Sequence, residues 1–205
     1  GGTTGVPKGA MLTHANISAN AEQIARWVPE TFLVGQPKML GVLPLFHVFA
    51  MTVVQNFGLK LGAELILLPR FELDQVMSVI EKQKPTVFPG VPTIYTAINS
   101  AAEKGGRDLS SVQVCISGGA PLPADVRARF EKLTGCRLVE GYGLTEASPV
   151  VTCNPVTGEA KANSIGLPLA ETIVSVRTPV TGEEELPVGE KGEVCVKGPQ
   201  VMRGY

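Results

Sequence analysis

The sequence of 205 residues contains no uninterrupted apolar run of the ~18 residues that a bilayer-spanning helix requires. Its richest apolar stretch, Met39 to Leu68, is broken by Pro44, His47, Gln55, Asn56, Lys60 and Glu64. Cysteine is sparse and scattered. Cys115, Cys136, Cys153 and Cys195 form no CxxC pair, which excludes a zinc ribbon or disulfide framework and fits reduced, packed thiols of an intracellular protein. Only two histidines, His14 and His47, are present, too few for a histidine-rich metal cluster. Neither sign of charge dominates: 18 basic against 19 acidic residues leave a net charge of -1, which argues against nucleic acid or an anionic membrane surface as main partner. There is no internal repeat, and the one biased segment, the three glutamates at 183–185, reads as a solvated hairpin tip. A signal peptide and an initiator methionine are absent too, so a piece of a longer, cytoplasmic protein is expected.

What the chain has is enough length to bury a core and a regular alternation of short apolar runs with amphipathic ones. Thr13 is placed to cap a helix whose face carries Ile17, Ala21, Ile24, Ala25 and Val28. A strand is expected over 38–44, a helix over 49–62 ended by Gly62, and a strand over 64–69. Leu73, Val76, Met77 and Ile80 predict a helix stopped by Pro85. Next come a strand over 86–90, a helix from Pro92, and a strand over 111–117 with Val112, Val114 and Ile116 inward. A helix through Val126, Phe130 and Leu133 follows, closed by Gly135, before a strand over 136–143. This alternation predicts an α/β fold with a mostly parallel sheet covered by helices on both faces, over residues 1–150. From about 151 to 205 Pro, Gly, Thr and Glu accumulate around ETIVSVRT and GEVCVKG, predicting a small antiparallel β subdomain.

Four loops collect residues suited to chemistry, and each has a plain structural reading beside the functional one. In GGTTGVPKG, small residues let backbone N–H groups approach phosphate oxygens, Thr3 and Thr4 add donors, and Lys8 brings a mobile charge. The same stretch also serves as a flexible turn. It is not the common P-loop, because Gly9 stands where that loop has its hydroxyl, and no adjacent strand ends in a second, metal-binding aspartate; both oppose a GTPase or kinase. In LPLFHVFAM, His47 follows a strand among aromatics, as a site residue or simply a packed helix-start residue. SGGAPLP forms a tight strand-to-helix turn whose backbone can lie against a planar ligand. EGYGLTEAS offers a ring face at Tyr142, close approach at Gly141 and Gly143, a hydroxyl at Thr145 and a carboxylate for a hard cation at Glu146, or else a β-turn with a helix cap.

As an ordered set, GGTTGVPKGAMLTH, LPLFH, SGGAPL, EGYGLTE and GEVCVKGPQVMRGY resemble the motifs of the acyl-adenylate-forming superfamily, over essentially the whole chain. CRLVEGYGLTEASPVVTCNP and FPGVPTIYTAI are most similar to its long-chain fatty-acid–CoA ligase branch. The resemblance implies an acetyl-CoA synthetase-like fold and a two-step reaction. A fatty carboxylate attacks the α-phosphorus of ATP, and coenzyme A then displaces AMP to give the thioester. By the same resemblance Thr3, Thr4, Gly5 and Lys8 hold the β- and γ-phosphates. Thr145 contacts the α-phosphate and Glu146 binds Mg²⁺. Gly119, Ala120, Pro121, Glu140, Gly141, Tyr142 and Gly143 surround the adenine. His47 sits beside the acyl carboxylate, with Phe46, Val91, Pro92, Tyr95 and Gly118 toward the acyl tunnel.

The family's ribose-binding TGD segment, its hinge and its lysine-bearing C-terminal domain have no counterpart here. The isolated piece is therefore expected to be inactive, while the whole protein works on fatty acid, ATP and CoA and touches a membrane peripherally if it collects its substrate there. Two other readings stand beside this one: an aryl-acid (coumarate-like) CoA ligase of the same superfamily, and a non-catalytic nucleotide- or acyl-binding module.

Overall fold

A computed structural model describes residues 7–29, 35–102 and 105–205. Thr3, Thr4 and Gly5 lie outside the described residues.

Helix α1 (His14–Trp27) starts where the sequence places it. Thr13 and Asn16 cap each other reciprocally: Thr13 Oγ1 accepts from the Asn16 N–H at 3.1 Å, and Asn16 Oδ1 accepts from the Thr13 N–H at 2.9 Å. Such a cap is worth about 1 kcal/mol. Strand β1 (Lys38–Gly41) pairs in parallel with β2 (Glu64–Leu67), and β3 (Val114–Ser117) in parallel with β4 (Arg137–Gly143).

The segment expected as a strand over 86–90 lies between these two pairs but forms only isolated bridges, Met39 with Val87, Val87 with Val114, and Gly90 with Ser117. Its amides alternate between neighbours. Val87 donates to the Lys38 carbonyl, whereas Phe88 and Gly90 donate to those of Val114 and Ile116. Pro89 comes next in turn on the β1 side and has no N–H, so the ladder stops there. The 111–117 strand likewise shortens to four residues, all buried on both faces.

The sheet separates two cores. On one side Leu40, Phe88, Cys115 and Leu138 meet α3 (Leu73–Gln83), α4 (Pro92–Ala102) and α5 (Ala124–Thr134) through Val76, Ile80, Ile94, Ile98, Val126 and Phe130. On the other, Met39, Val87, Val114, Ile116 and Val139 meet Ile24 of α1, Val53, Val54 and Phe57. Leu133, expected inward, is 37% exposed; Thr134 takes the buried place one turn after Phe130 and returns its hydroxyl to the Phe130 carbonyl at 2.8 Å. The expected helix over 49–62 is a π-helical segment, Ala50–Asn56, running into α2 (Phe57–Lys60).

Strand β4 changes partner partway. Its first four residues pair with β3, and Gly141 to Gly143 pair antiparallel with β5 (Val150–Cys153), which pairs with β6 (Leu167–Pro168). Strands β7 (Ile173–Arg177) and β8 (Glu193–Lys197) form a separate antiparallel pair, with the exposed glutamates 183–185 in their connection. Among the described residues no helix is long and apolar enough to cross a membrane.

Candidate functional site

The segment before the π-helix and the loops following β3 and β4 converge at the carboxyl edge of the parallel strands, where α/β sheets hold ligands. They enclose a cavity of about 250 Å³ lined by His47, Phe49, Gly118, Gly119 and the run from Gly141 to Thr145, with Ile116, Pro149 and Val150 behind. Residues far apart in the chain thus share one wall.

His47 is exposed, and its ring is oriented by its own helix. Nδ1 accepts from the Phe49 N–H at 3.2 Å, and the His47 carbonyl accepts from Met51 at 3.0 Å. An accepting Nδ1 leaves the proton of the neutral ring on Nε2, which makes His47 an N–H donor at its outer nitrogen. Gly118 leaves little room for a side chain: a Cβ there would lie 3.2 Å from the Phe49 ring, which would have to give by a few tenths of an ångström, and both residues line the cavity. Gly119 has φ +79°, a left-handed conformation natural to glycine, and turns the chain sharply from β3.

The loop 144–149 carries Thr145 and Glu146 and is tied down from four directions. Thr52 of the π-helix donates to the Ser148 carbonyl at 2.7 Å. Asn20 of α1 bonds both ways to the Val150 backbone, at 2.7 and 2.9 Å. Ser148 Oγ donates to the Gln200 carbonyl at 2.8 Å, and Met202 N–H donates to the Glu146 carbonyl at 2.7 Å. The buried Asn20, Gln23 and Gln200 form a polar seam between α1, β5 and the end of the chain. Glu146 itself is half-exposed. Its own backbone N–H and then the Tyr205 hydroxyl hold its carboxyl below the usual carboxylate range.

Lys8 is exposed and stands over the Tyr205 ring, 5.1 Å from the centroid, while Tyr205 Oη donates to Glu146 Oε1 at 2.8 Å. The first and last motifs of the chain therefore meet at Tyr205, whose hydroxyl reaches Glu146. Tyr205 had no local signal in the sequence beyond its place in the closing motif, Ile116 read as an inward strand residue, and nothing singled out Phe49, Pro149 or Val150.

Other expected site residues lie elsewhere. Glu140 faces a second cavity of about 140 Å³, with Arg127, Asn154 and Lys161. Burial pushes its carboxyl up, partly offset by the Leu122 backbone. Ala120 and Pro121 are exposed on the turn beyond Gly119, and Phe46 is 93% exposed. Val91 is half-buried beside Gly119, and Pro92 is buried at the start of α4.

Tyr95 is fully buried under the sheet, with Phe88 and Phe130 edge-on at 5.9 and 4.9 Å. Its hydroxyl reaches the Phe88 carbonyl at 3.0 Å, so it braces the strands from the core and does not line the cavity. Among the described residues no three metal-ligating side chains cluster.

A model of a family described as AMP-binding enzyme matches residues 1–205. The chain is 51% identical over 205 residues to a long-chain-fatty-acid–CoA ligase of Bacillus subtilis (strain 168), covering all of this chain and 36% of that protein. It is 36% identical over 210 residues to 4-coumarate–CoA ligase 1 of Oryza sativa subsp. japonica, covering 37% of it. Among solved structures it is similar to ATP-bound MatB from Rhodopseudomonas palustris, with a TM-score of 0.86 and 34% identity, covering all of this chain and 39% of that one. The chain thus spans little more than a third of the length of these relatives.

Proposed function

The chain belongs to the AMP-binding enzyme family, and from that premise we propose that the protein containing it activates a long-chain fatty acid with ATP and transfers the acyl group to coenzyme A. The observation that carries this reading is the shared cavity wall. His47, Gly118, Gly119, Tyr142 and Thr145 line one cavity, and Glu146 and Lys8 meet at Tyr205 beside it. The 51% identity to a fatty-acid–CoA ligase supports the substrate class.

In this reading the nucleotide lies along the carboxyl edge of the sheet. The glycine backbones at 118–119 and 141–143 admit the adenine, and the Tyr142 ring offers it a face. Attack of a carboxylate on a phosphate brings two anions together, so positive charge and fixed in-line geometry supply most of the rate. Lys8 takes charge on the departing pyrophosphate, with Thr3, Thr4 and Gly5 of the same loop. Thr145 orients the α-phosphate, and the Nε2–H of His47 steadies the acyl carboxylate.

Glu146 offers a half-exposed carboxylate next to the cavity-lining Thr145, and a single such ligand fits Mg²⁺, which keeps several waters and takes phosphate oxygens with few protein ligands. When bound, Mg²⁺ neutralises charge on the phosphate oxygens. Phe46, Val91 and Pro92 border the acyl path, each buried CH₂ adding about 0.8 kcal/mol. Residues 1–150 form the nucleotide-binding part and 151–205 the beginning of a β-rich part. The lysine-bearing C-terminal domain that closes over the site belongs to the remainder of the protein.

Carboxylate-dependent exchange of pyrophosphate into ATP by the full-length protein tests this directly. Palmitate should drive exchange and cinnamic acids should not. Exchange with cinnamates alone would favour the aryl-acid reading, which the 36% identity to a coumarate ligase keeps in view. No exchange with any carboxylate by the folded protein would favour a non-catalytic binding module.

A further inference from the structure

The backbone leading to Tyr205 is held firmly. Met11 N–H donates to the Gly204 carbonyl at 2.9 Å, and Arg203 N–H donates to the Met11 carbonyl at 3.0 Å. Asn16 Nδ2 donates to the carbonyls of Pro199 and Val201 at 2.8 and 2.9 Å, and Gln200 is completely buried. A side chain on so constrained a backbone is aimed, and its two targets carry opposite charges. The hydroxyl lies 2.8 Å from Glu146 Oε1, and the ring face lies 5.1 Å below Lys8 Nζ, within the range of a cation–π contact.

We propose that Tyr205 is a positioning residue that sets Glu146 and Lys8 for the metal-bound nucleotide through different parts of one side chain. This rests on the reading of the site as adenylate-forming. The hydroxyl orients the Glu146 carboxylate, as outer-shell hydrogen bonds orient metal ligands generally. The ring holds the Lys8 ammonium at the entrance for the terminal phosphates, independently of any metal. The two halves are separable by mutation: Tyr205→Phe removes the hydroxyl and keeps the ring, whereas Tyr205→Leu removes both.

The test uses the full-length protein and two binding measurements besides turnover. Free Mn²⁺ is followed by electron paramagnetic resonance in the presence of ATP, and ATP binding is followed by calorimetry in EDTA. Tyr205→Phe should weaken Mn²⁺ binding about tenfold. Its metal-free ATP affinity should stay at the parent value. Tyr205→Leu should weaken metal-free ATP binding as well, by about two- to five-fold.

Unchanged or tighter Mn²⁺ binding in Tyr205→Phe overturns the hydroxyl's role. Metal-free ATP affinity in Tyr205→Leu equal to that in Tyr205→Phe overturns the ring's role. Glu146→Gln separates this inference from the reading beneath it. If Glu146→Gln weakens Mn²⁺ binding and Tyr205→Phe does not, Tyr205 alone is misassigned. If Glu146→Gln leaves Mn²⁺ binding intact, the assignment of Glu146 fails and the inference falls with it.

Discussion

Two glycines stand two residues apart in EGYG, and the structure predicts opposite responses to the same added methyl group. At Gly143 a Cβ would lie 2.0 Å from the Pro149 carbonyl oxygen, 2.7 Å from its carbon and 3.0 Å from Val150 Cα. All three are backbone atoms, so no side chain can swing away. The Pro149 oxygen also accepts the Leu144 N–H at 3.0 Å, the bond that closes the loop carrying Thr145 and Glu146.

Overpacking of about 1–3 kcal/mol plus loss of that buried hydrogen bond gives a cost of about 2–4 kcal/mol for Gly143→Ala. At Gly141 the nearest atoms would be Thr152 O at 3.5 Å, Ile116 Cγ2 at 3.6 Å and Cys153 Sγ at 3.7 Å, ordinary contacts. Gly141→Ala should be neutral, or stabilise by up to about 1 kcal/mol through the unfolded chain. Guanidinium titration of both variants at equal slope measures the difference. In thermal unfolding Gly143→Ala should melt roughly 5–15 °C below the parent. Equal midpoints for the two variants, or a Gly143→Ala cost under about 0.5 kcal/mol, would refute the close approach of β4 to Pro149.

Three further outcomes are expected. Lys8→Ala should slow pyrophosphate exchange on the order of 10²-fold without moving the thermal midpoint; an unchanged rate would make the opening loop a mere turn. Burial pushes the Cys153 thiol up to about 12 and raises that of Cys115 as well, so at pH 8 about one Cys153 in 10⁴ is a thiolate. A disulfide reagent on the native protein should therefore titrate the half-buried Cys195 and spare the three buried thiols, and fast reaction of Cys153 would contradict its packing. Glu140 has a raised folded-state pKa, so its neutral form favours the fold; that benefit is complete below the unfolded value near 4.5 and is lost as pH rises through the folded one. Glu140→Gln should thus stabilise the protein at pH 7, by no more than about 1 kcal/mol given solvent screening, and make no difference at pH 4. A gain that persists at pH 4 would contradict burial as the cause.

Local chemistry made much of the fold legible. Thr13 and Gly135 mark a helix start and a helix end because capping depends on one residue and its immediate neighbours. Runs such as VCIS read as buried strands because parallel sheets are covered on both faces. What stayed hidden depends on distant partners. Residues 50–56 carry an α-helical apolar pattern, and their wider π turn shows only in three dimensions. Asn20 and Gln23 look like polar interruptions on α1, but they are the buried seam to β5 and Gln200.

The site divides along the same line. The motif residues lining the cavity sit in strand-end turns with visible chemistry, whereas Tyr205 reaches Glu146 through the docking of residues 199–204 onto α1 and onto Met11 before it. Tyr95 shows the converse. Its position beside a glycine turn suggests a ligand wall, but a fully buried ring with its hydroxyl on the Phe88 carbonyl is a strut of the core.

That docking also sets a clock. Asn16 grips carbonyls 183 and 185 residues further along the sequence, and the loop bearing Lys8 zips against residues 203 and 204. At a synthesis rate of about 5–20 residues per second, roughly 10–40 s separate the emergence of Lys8 from that of Tyr205. Helices α3 to α5 and their strands are made of shorter-range contacts and can condense during that interval, while α1 waits with its polar seam open. The nascent chain thus acquires the scaffold of α3 to α5 well before the corner where Lys8, Tyr205 and Glu146 come together.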